Sequence, residues 1–100
     1  MSYLDREGKP ITLLQWAILW DDPAYRFVRT TQVGPVTIRT VWEGLGDYPG
    51  ALFCTGMTRQ PNESWQTIAT ADTEAEAALD HRHAVELVRL HTPEPERQRR

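Results

Sequence analysis

The chain is poor in cysteine, in long apolar runs and in basic charge. Its 100 residues include one cysteine, Cys54, which excludes an internal disulfide and fits a reducing cytosol. The longest apolar run, Trp16 to Trp20, is far shorter than a membrane span, and the first ten residues lack the apolar core of a signal peptide. A formal net charge of -3 argues against a nucleic-acid partner, because such proteins usually carry a basic excess. We therefore expect a cytoplasmic protein with no membrane association.

The stretch from Tyr25 to Gly44 is the richest in β-branched and aromatic residues, and Gly34-Pro35 divides it into two runs. This pattern predicts a β-hairpin in which Gly34 supplies the positive φ of a two-residue turn. The resulting register places these residues opposite each other: Val33 and Val36, Thr30 and Arg39, Phe27 and Trp42, Arg26 and Glu43. We expect Phe27 and Trp42 to pack together on the face that the helices cover. Arg29 shares the parity of that face, which indicates a bulge or the rim of the sheet.

A helix is predicted immediately before the hairpin. Thr12 and Gln15 form a capping box, and Asp21-Asp22-Pro23 ends the helix after about Trp20. The stripe that should face the sheet consists of Leu13, Trp16, Ala17 and Trp20. Leu14 and Ile18 then point away from the sheet, four residues apart on one ridge.

Two further strands and a second helix follow the hairpin. Residues 51–57 and 64–70 are predicted strands, and a capping box at Thr73 and Glu76 begins a helix that runs to about Leu90. The predicted fold is therefore α+β, with a four-stranded antiparallel meander packed against an N-terminal and a C-terminal helix in the order α-β-β-β-β-α. Residues 1–91 are expected to form one domain, and residues 92–100 a disordered tail.

The two helices carry more apolar surface than one four-stranded sheet can bury. The last helix has one apolar sector around His81 and a second that contains Leu79 and Leu87. We therefore predict an interaction surface built on Leu14, Ile18, Leu79 and Leu87. Its occupant would be a second copy of the chain, giving a homodimer, or a host protein. The alternative is that the two helices pack side by side and cover each other.

No motif for catalysis, for a metal, for a cofactor or for a small-molecule ligand is evident. His81 and His83 are two apart on a helix and face different directions, so we expect His81 to be a hydrogen-bonded core residue. Cys54 lies within a predicted strand and is expected to be a small buried side chain. Two alternatives remain open: a small enzyme in which Cys54 and a histidine meet in a cleft, and a nucleic-acid binder. The binder would use Arg26, Arg29, Arg39 and the terminal RQRR segment.

Three segments taken together, YLDREGKPIT, TQVGPVTIRTVWEG and DTEAEAAL, resemble a family of short proteins of actinobacterial phages and prophages. The shared pattern is an aromatic-x-Asp-Arg-x-Gly-x-Pro-Ile-Thr opening, a Trp-bearing helix, a Val-Gly turn, a Thr-Val-Trp-x-Gly strand end and an acidic, alanine-rich last helix. The loop at residues 46–49 is shorter and less glycine-rich than the pattern. The resemblance implies a small phage or prophage accessory protein in the bacterial cytoplasm. It implies no activity and no site residue.

Overall fold

The computed structural model describes residues 2–59 and 64–91, which form one four-stranded sheet, a two-stranded ladder and three helices. The elements are β1 (Tyr3–Leu4), β2 (Pro10–Ile11), α1 (Leu13–Trp20), α2 (Pro23–Arg26), β3 (Phe27–Val33), β4 (Val36–Trp42), β5 (Phe53–Arg59), β6 (Gln66–Ala71) and α3 (Glu74–His91). Strands β3 to β6 pair antiparallel in chain order. The predicted α+β fold, with an N-terminal and a C-terminal helix on an antiparallel meander, is confirmed. The β1–β2 ladder and α2 were not predicted.

The hairpin of β3 and β4 has the predicted turn, but its register changes near the start of β3. Val33 lies opposite Val36 as predicted, and Gly34 has a φ of 57°. A β-bulge between Phe27 and Arg29 then inserts one extra residue, so that Phe27 lies opposite Val41. Because neighbouring residues of a strand point to opposite faces, the bulge transfers Phe27 to the face away from Trp42. The predicted packing of Phe27 on Trp42 is therefore wrong, and the bulge indicated by Arg29 is confirmed.

Helix α3 covers one face of the sheet and forms the core with it. Near its start, Ala77 packs into a cluster with Trp42, Leu52, Phe53 and Ala71. Further along, its side chains Ala84 and Val85 pack against Val36 and Ile38. The opposite face of the sheet, called here the open face, is not covered by α3.

Helix α1 has the predicted capping box but not the predicted buried stripe. The Thr12 hydroxyl accepts from the Gln15 amide at 3.1 Å, and the Gln15 side chain accepts from the Thr12 amide at 2.9 Å. Trp16 contacts the core as expected, whereas Leu13 is exposed and Leu19 is half-buried in its place. The stripe is displaced because α1 packs mainly on α2 and β1, beside the end of the sheet and not flat on it.

Among the helices of the described chain, none is long and apolar enough to cross a membrane. The predicted tail, residues 92–100, lies outside the described residues, as do residues 60–63.

Candidate interaction surface and open-face cleft

The outer side of α1 is an apolar surface in contact with solvent. Leu14 is 71% exposed and Ile18 62% exposed, and these two side chains are called here the α1 ridge. Leu13 flanks the ridge and is 59% exposed. The eight residues of α1 include no charged side chain, and its one polar residue, Gln15, is engaged in the capping box. The alternative in which α3 covers Leu14 and Ile18 is therefore wrong.

The predicted residues of α3 are also exposed, but their surroundings differ. Leu79 is 43% and Leu87 57% exposed. Charged and polar side chains of the same helix lie between them in the sequence, among them Asp80, Arg82 and Glu86. The main packing partners of α3 are the strands of the sheet, whereas those of α1 are α2 and β1. The four predicted residues thus form two separate groups, and the group on α1 is the one without charges.

His81 is a buried, fully hydrogen-bonded core residue, as predicted. It is 2% exposed, its Nε2 lies 2.8 Å from the Thr31 hydroxyl and its Nδ1 lies 2.9 Å from the Thr40 hydroxyl. The Thr40 hydroxyl is in turn 2.7 Å from that of Thr55. Burial, and then the positive charge of Arg29, lower the pKa of His81 below its ordinary value.

Cys54 and His81 lie on opposite faces of the sheet. Cys54 lies opposite Val41 on the open face, while His81 is hydrogen-bonded to Thr31 and Thr40 on the covered face. Cys54 lies in β5 as predicted, but it is only half-buried, with its Sγ 3.5 Å from the Thr67 hydroxyl, so the expectation of a buried side chain is wrong. The enzyme alternative that pairs Cys54 with His81 has no geometric basis. Within residues 2–59 and 64–91, no group of three or more His, Cys, Asp or Glu side chains could hold a metal ion.

The three arginines of the nucleic-acid alternative do not share a surface. Arg26 and Arg39 line a cleft on the open face. Arg29 lies at the edge of the covered face, where it lines a depression of about 380 Å³ together with Arg82 and Arg89 of α3. The terminal RQRR segment lies outside the described residues. The structure therefore does not bring the predicted basic residues together into one basic face.

A cleft of about 370 Å³ lies on the open face between β3 and the start of β6. Its lining residues come from four strands and their ends: Arg26, Phe27, Arg39, Val41, Glu43, Cys54, Gly56, Trp65, Gln66 and Thr67. The Arg39 guanidinium lies 4.5 Å from the centre of the Phe27 ring and 5.0 Å from the centre of a Trp65 ring. Two aromatic rings therefore hold one cation at the mouth of the cleft.

The second charged pair in the cleft is partly buried. The Arg26 guanidinium lies 3.5 Å from the Trp20 ring centre, and its Nη2 is 3.6 Å from Oε2 of Glu43. The Nε of Arg26 is buried and has no hydrogen-bond partner in the part of the chain that the structure describes. Burial raises the pKa of Glu43, and the neighbouring Arg26 offsets part of this increase. The predicted ion pair of Arg26 with Glu43 is thus present, but Arg26 is the last residue of α2 and Glu43 follows β4, so the predicted strand register of these two residues is wrong.

A second, shallower cleft of about 540 Å³ continues from the first along the open face. The two share Glu43, Cys54 and Thr67. The walls of the second cleft are aromatic residues of the N-terminal segment, of α1 and of the loop after β4: Tyr3, Trp16, Trp20 and Tyr48. Sequence reasoning missed the first cleft because the bulge that turns Phe27 toward the open face changes the parity on which the predicted faces depend. It missed the second because the residues of that cleft come from segments far apart in the sequence.

No protein-family model, no curated protein and no solved structure matches this chain.

Proposed function

We propose that this chain is a protein–protein interaction module that forms a homodimer through the α1 ridge. The observation that carries the proposal is the exposure of Leu14 and Ile18 on a helix without a charged side chain. Burying apolar surface contributes about 25 cal/mol per Å², so a partner that covers the ridge gains free energy without desolvating a charge.

A second copy is the occupant that the composition of the ridge favours. In a two-fold symmetric contact the same patch meets itself, which requires the patch to be self-complementary. An uncharged ridge satisfies this requirement, because no pair of like charges is brought together. The i, i+4 spacing of Leu14 and Ile18 also gives a short row of side chains that can pack beside the same row of another helix.

Sedimentation equilibrium over a range of concentrations tests this proposal. We expect the wild type to approach twice the chain mass as the concentration rises, and a Leu14→Glu/Ile18→Glu variant to stay at the mass of one chain. The matched control is Leu79→Glu/Leu87→Glu, which places two charges on α3 and should leave the dimer intact. Circular dichroism of each variant checks whether the helices remain folded.

Three results would contradict the homodimer. The first is a wild type that is monomeric at every concentration, and the second is dissociation of the α3 variant with the α1 variant unaffected. The third is an α1 variant that unfolds, because the ridge would then contribute to the fold of a single chain. The wild type could also be monomeric and bind a host protein through the α1 ridge. If the α1 variant then fails to bind that host protein, the host protein and not a second copy is the partner.

The setting that we propose is that of a phage or prophage accessory protein in the bacterial cytoplasm. Its support is the resemblance of the segments YLDREGKPIT, TQVGPVTIRTVWEG and DTEAEAAL to proteins of actinobacterial phages. Fractionation of actinobacterial cells that express the tagged chain tests the location. Recovery of the chain in the membrane or secreted fraction would contradict this part of the proposal.

A further inference from the structure

Arg39 is a positioned cation whose terminal nitrogens make no hydrogen bond to the residues that the structure describes. Its Nε donates to the Thr30 hydroxyl at 3.2 Å, and the Phe27 and Trp65 rings hold its guanidinium plane. Among the described residues, no carboxylate lies within 4.0 Å of it. A guanidinium presents a rigid fork of N–H groups that matches the two oxygens of a carboxylate. Arg39 is therefore held in place with donors still available to an anion.

The charges that line the cleft sum to a single positive charge. Arg26 and Glu43 form a pair at 3.6 Å and cancel each other, which leaves Arg39 unbalanced. A ligand with one negative charge neutralises the cleft. A doubly charged phosphate would leave the cleft with a net negative charge and would be repelled by Glu43. The charge of the cleft therefore favours a carboxylate.

The uncharged walls of the cleft include two flat aromatic rings beside the polar side chains of Gln66 and Thr67. Trp65 is 48% and Phe27 37% exposed, so both rings still offer surface to a ligand. Gly56 lines the bottom of the cleft and has no side chain to fill it. A Cβ there would lie 3.2 Å from the Gln66 carbonyl oxygen and 3.6 Å from the Trp65 ring. Pockets for small molecules typically combine such apolar walls with a few placed polar groups, in volumes of about 300–1,000 Å³.

We propose that the open-face cleft binds a single carboxylate carried on a flat apolar group. The carboxylate accepts from the terminal N–H groups of Arg39, and the flat group packs against Trp65 and Phe27. This chemistry has two sources, a free aromatic acid and the C-terminal aromatic residue of a peptide. The inference is independent of the α1 ridge, which contributes no residue to the cleft.

Calorimetric titration with naphthalene-2-carboxylate tests the site, with naphthalene-2-carboxamide as the uncharged probe of the same shape. Arg39→Gln should weaken binding of the acid about tenfold to a hundredfold, the range for loss of hydrogen bonds to a charged group. Glu43→Gln should tighten it several-fold, because Arg26 then loses its counter-charge. Arg29→Gln is the matched control: it removes an arginine from the other face of the same sheet and should leave binding unchanged.

A second titration separates the two sources. A short peptide that ends in phenylalanine with a free carboxylate is compared with the same peptide as its C-terminal amide. Tighter binding of the free-acid peptide than of naphthalene-2-carboxylate points to a protein terminus, and the reverse order points to a small acid. Both orders support the carboxylate site.

Several outcomes overturn the proposal. They are binding of the carboxamide as tightly as the acid, an Arg39→Gln variant with unchanged affinity, and no binding of either acid at millimolar concentration. If Arg39→Gln fails to fold, Arg39→Lys keeps the charge but loses the planar fork, and it should also weaken binding. The effect of Glu43→Gln then remains a separate test, because Trp16 bonds the main-chain oxygen of Glu43 and not its side chain.

Discussion

The two faces of β4 carry different chemistry although they belong to the same seven residues. On the side of α3, Ile38, Thr40 and Trp42 are fully buried. On the other side, Arg39 and Val41 line the open-face cleft. An antiparallel sheet with one covered face normally shows this alternation, because successive side chains point to opposite sides. Here the strand that supplies the core also supplies the floor and the cation of the candidate site.

The polar groups of the two faces differ in how completely they are paired. On the covered face, both ring nitrogens of His81 are bonded to threonine hydroxyls. On the open face, the Nε of Arg39 donates to the Thr30 hydroxyl, and its terminal N–H groups make no hydrogen bond within residues 2–59 and 64–91. The reason is the cost of burial. A polar group that is unpaired in the interior lowers stability because it loses its hydrogen bonds to water, whereas an exposed group keeps those bonds. The complete network around His81 therefore stabilises the core, whereas Arg39 is exposed enough to stay incompletely paired among the described residues.

The largest expected effect is the difference in stability loss between a substitution on the covered face and one on the open face. Trp42→Ala should lower the free energy of unfolding by about 3–5 kcal/mol, because it leaves a cavity in the core and removes the bond from the indole N–H to the Leu4 carbonyl. Phe27→Ala on the open face should lower it by only about 1 kcal/mol. Urea unfolding of both variants measures the difference. Equal losses would mean that Phe27 belongs to the core after all.

A smaller effect is the pH dependence of stability that His81, on the covered face, should produce. The pKa of His81 is lower in the folded chain than the ordinary value of 6.5, so the unfolded chain binds more protons below that pH. The free energy of unfolding should therefore fall as the pH drops below about 6.5. His81→Leu should remove this part of the slope, and should cost about 1–3 kcal/mol at neutral pH by leaving threonine hydroxyls unpaired.

Urea unfolding at pH 7.5 and 5.5 measures that slope. The control is His83→Leu, since His83 is an exposed histidine on the same helix and its replacement should keep the slope. A slope that is unchanged in His81→Leu would show that His81 does not cause it.

The smallest effects come from two of the ion pairs, Arg6–Glu74 and Arg26–Glu43, and these effects should differ in sign. Arg6 donates to both oxygens of Glu74, at 2.7 and 3.0 Å, and these bonds lower the pKa of Glu74. The contribution of the Arg6–Glu74 pair to stability is present at neutral pH and is lost as the pH falls through the folded pKa of Glu74. Glu74→Gln should therefore lower the free energy of unfolding by at most about 1 kcal/mol at pH 7.

Burial raises the pKa of Glu43, so its contribution is present at low pH and is lost as the pH rises. Glu43→Gln at pH 7 should therefore leave stability unchanged or slightly higher. Differential scanning calorimetry of the two glutamine variants at pH 7 compares them. Destabilisation of both to the same extent would argue that the Arg26–Glu43 pair is as favourable as the one on Arg6.

Local signals in the sequence were enough for helices α1 and α3, for the four strands of the sheet and for their order, but not for β1, β2 and α2. Thr12 and Gln15 predicted the start of α1, and Gly34 predicted the turn of the hairpin; the structure contains both. Helical spacing separated Leu14 and Ile18 from the buried side of α1, and both are exposed. Such features depend on residues within one or two turns of each other, where capping, steric limits and periodicity act directly.

Only the tertiary structure decided which face each aromatic side chain takes. A single extra residue in β3 moved Phe27 away from Trp42, and the docking of α1 beside β1 and α2 left Leu13 in solvent. The open-face cleft depends further on Trp65 reaching Arg39 from beyond the next strand. These contacts join residues far apart in the sequence. Their geometry depends on bulges and on docking angles, because a shift of one residue reverses every side chain of a strand.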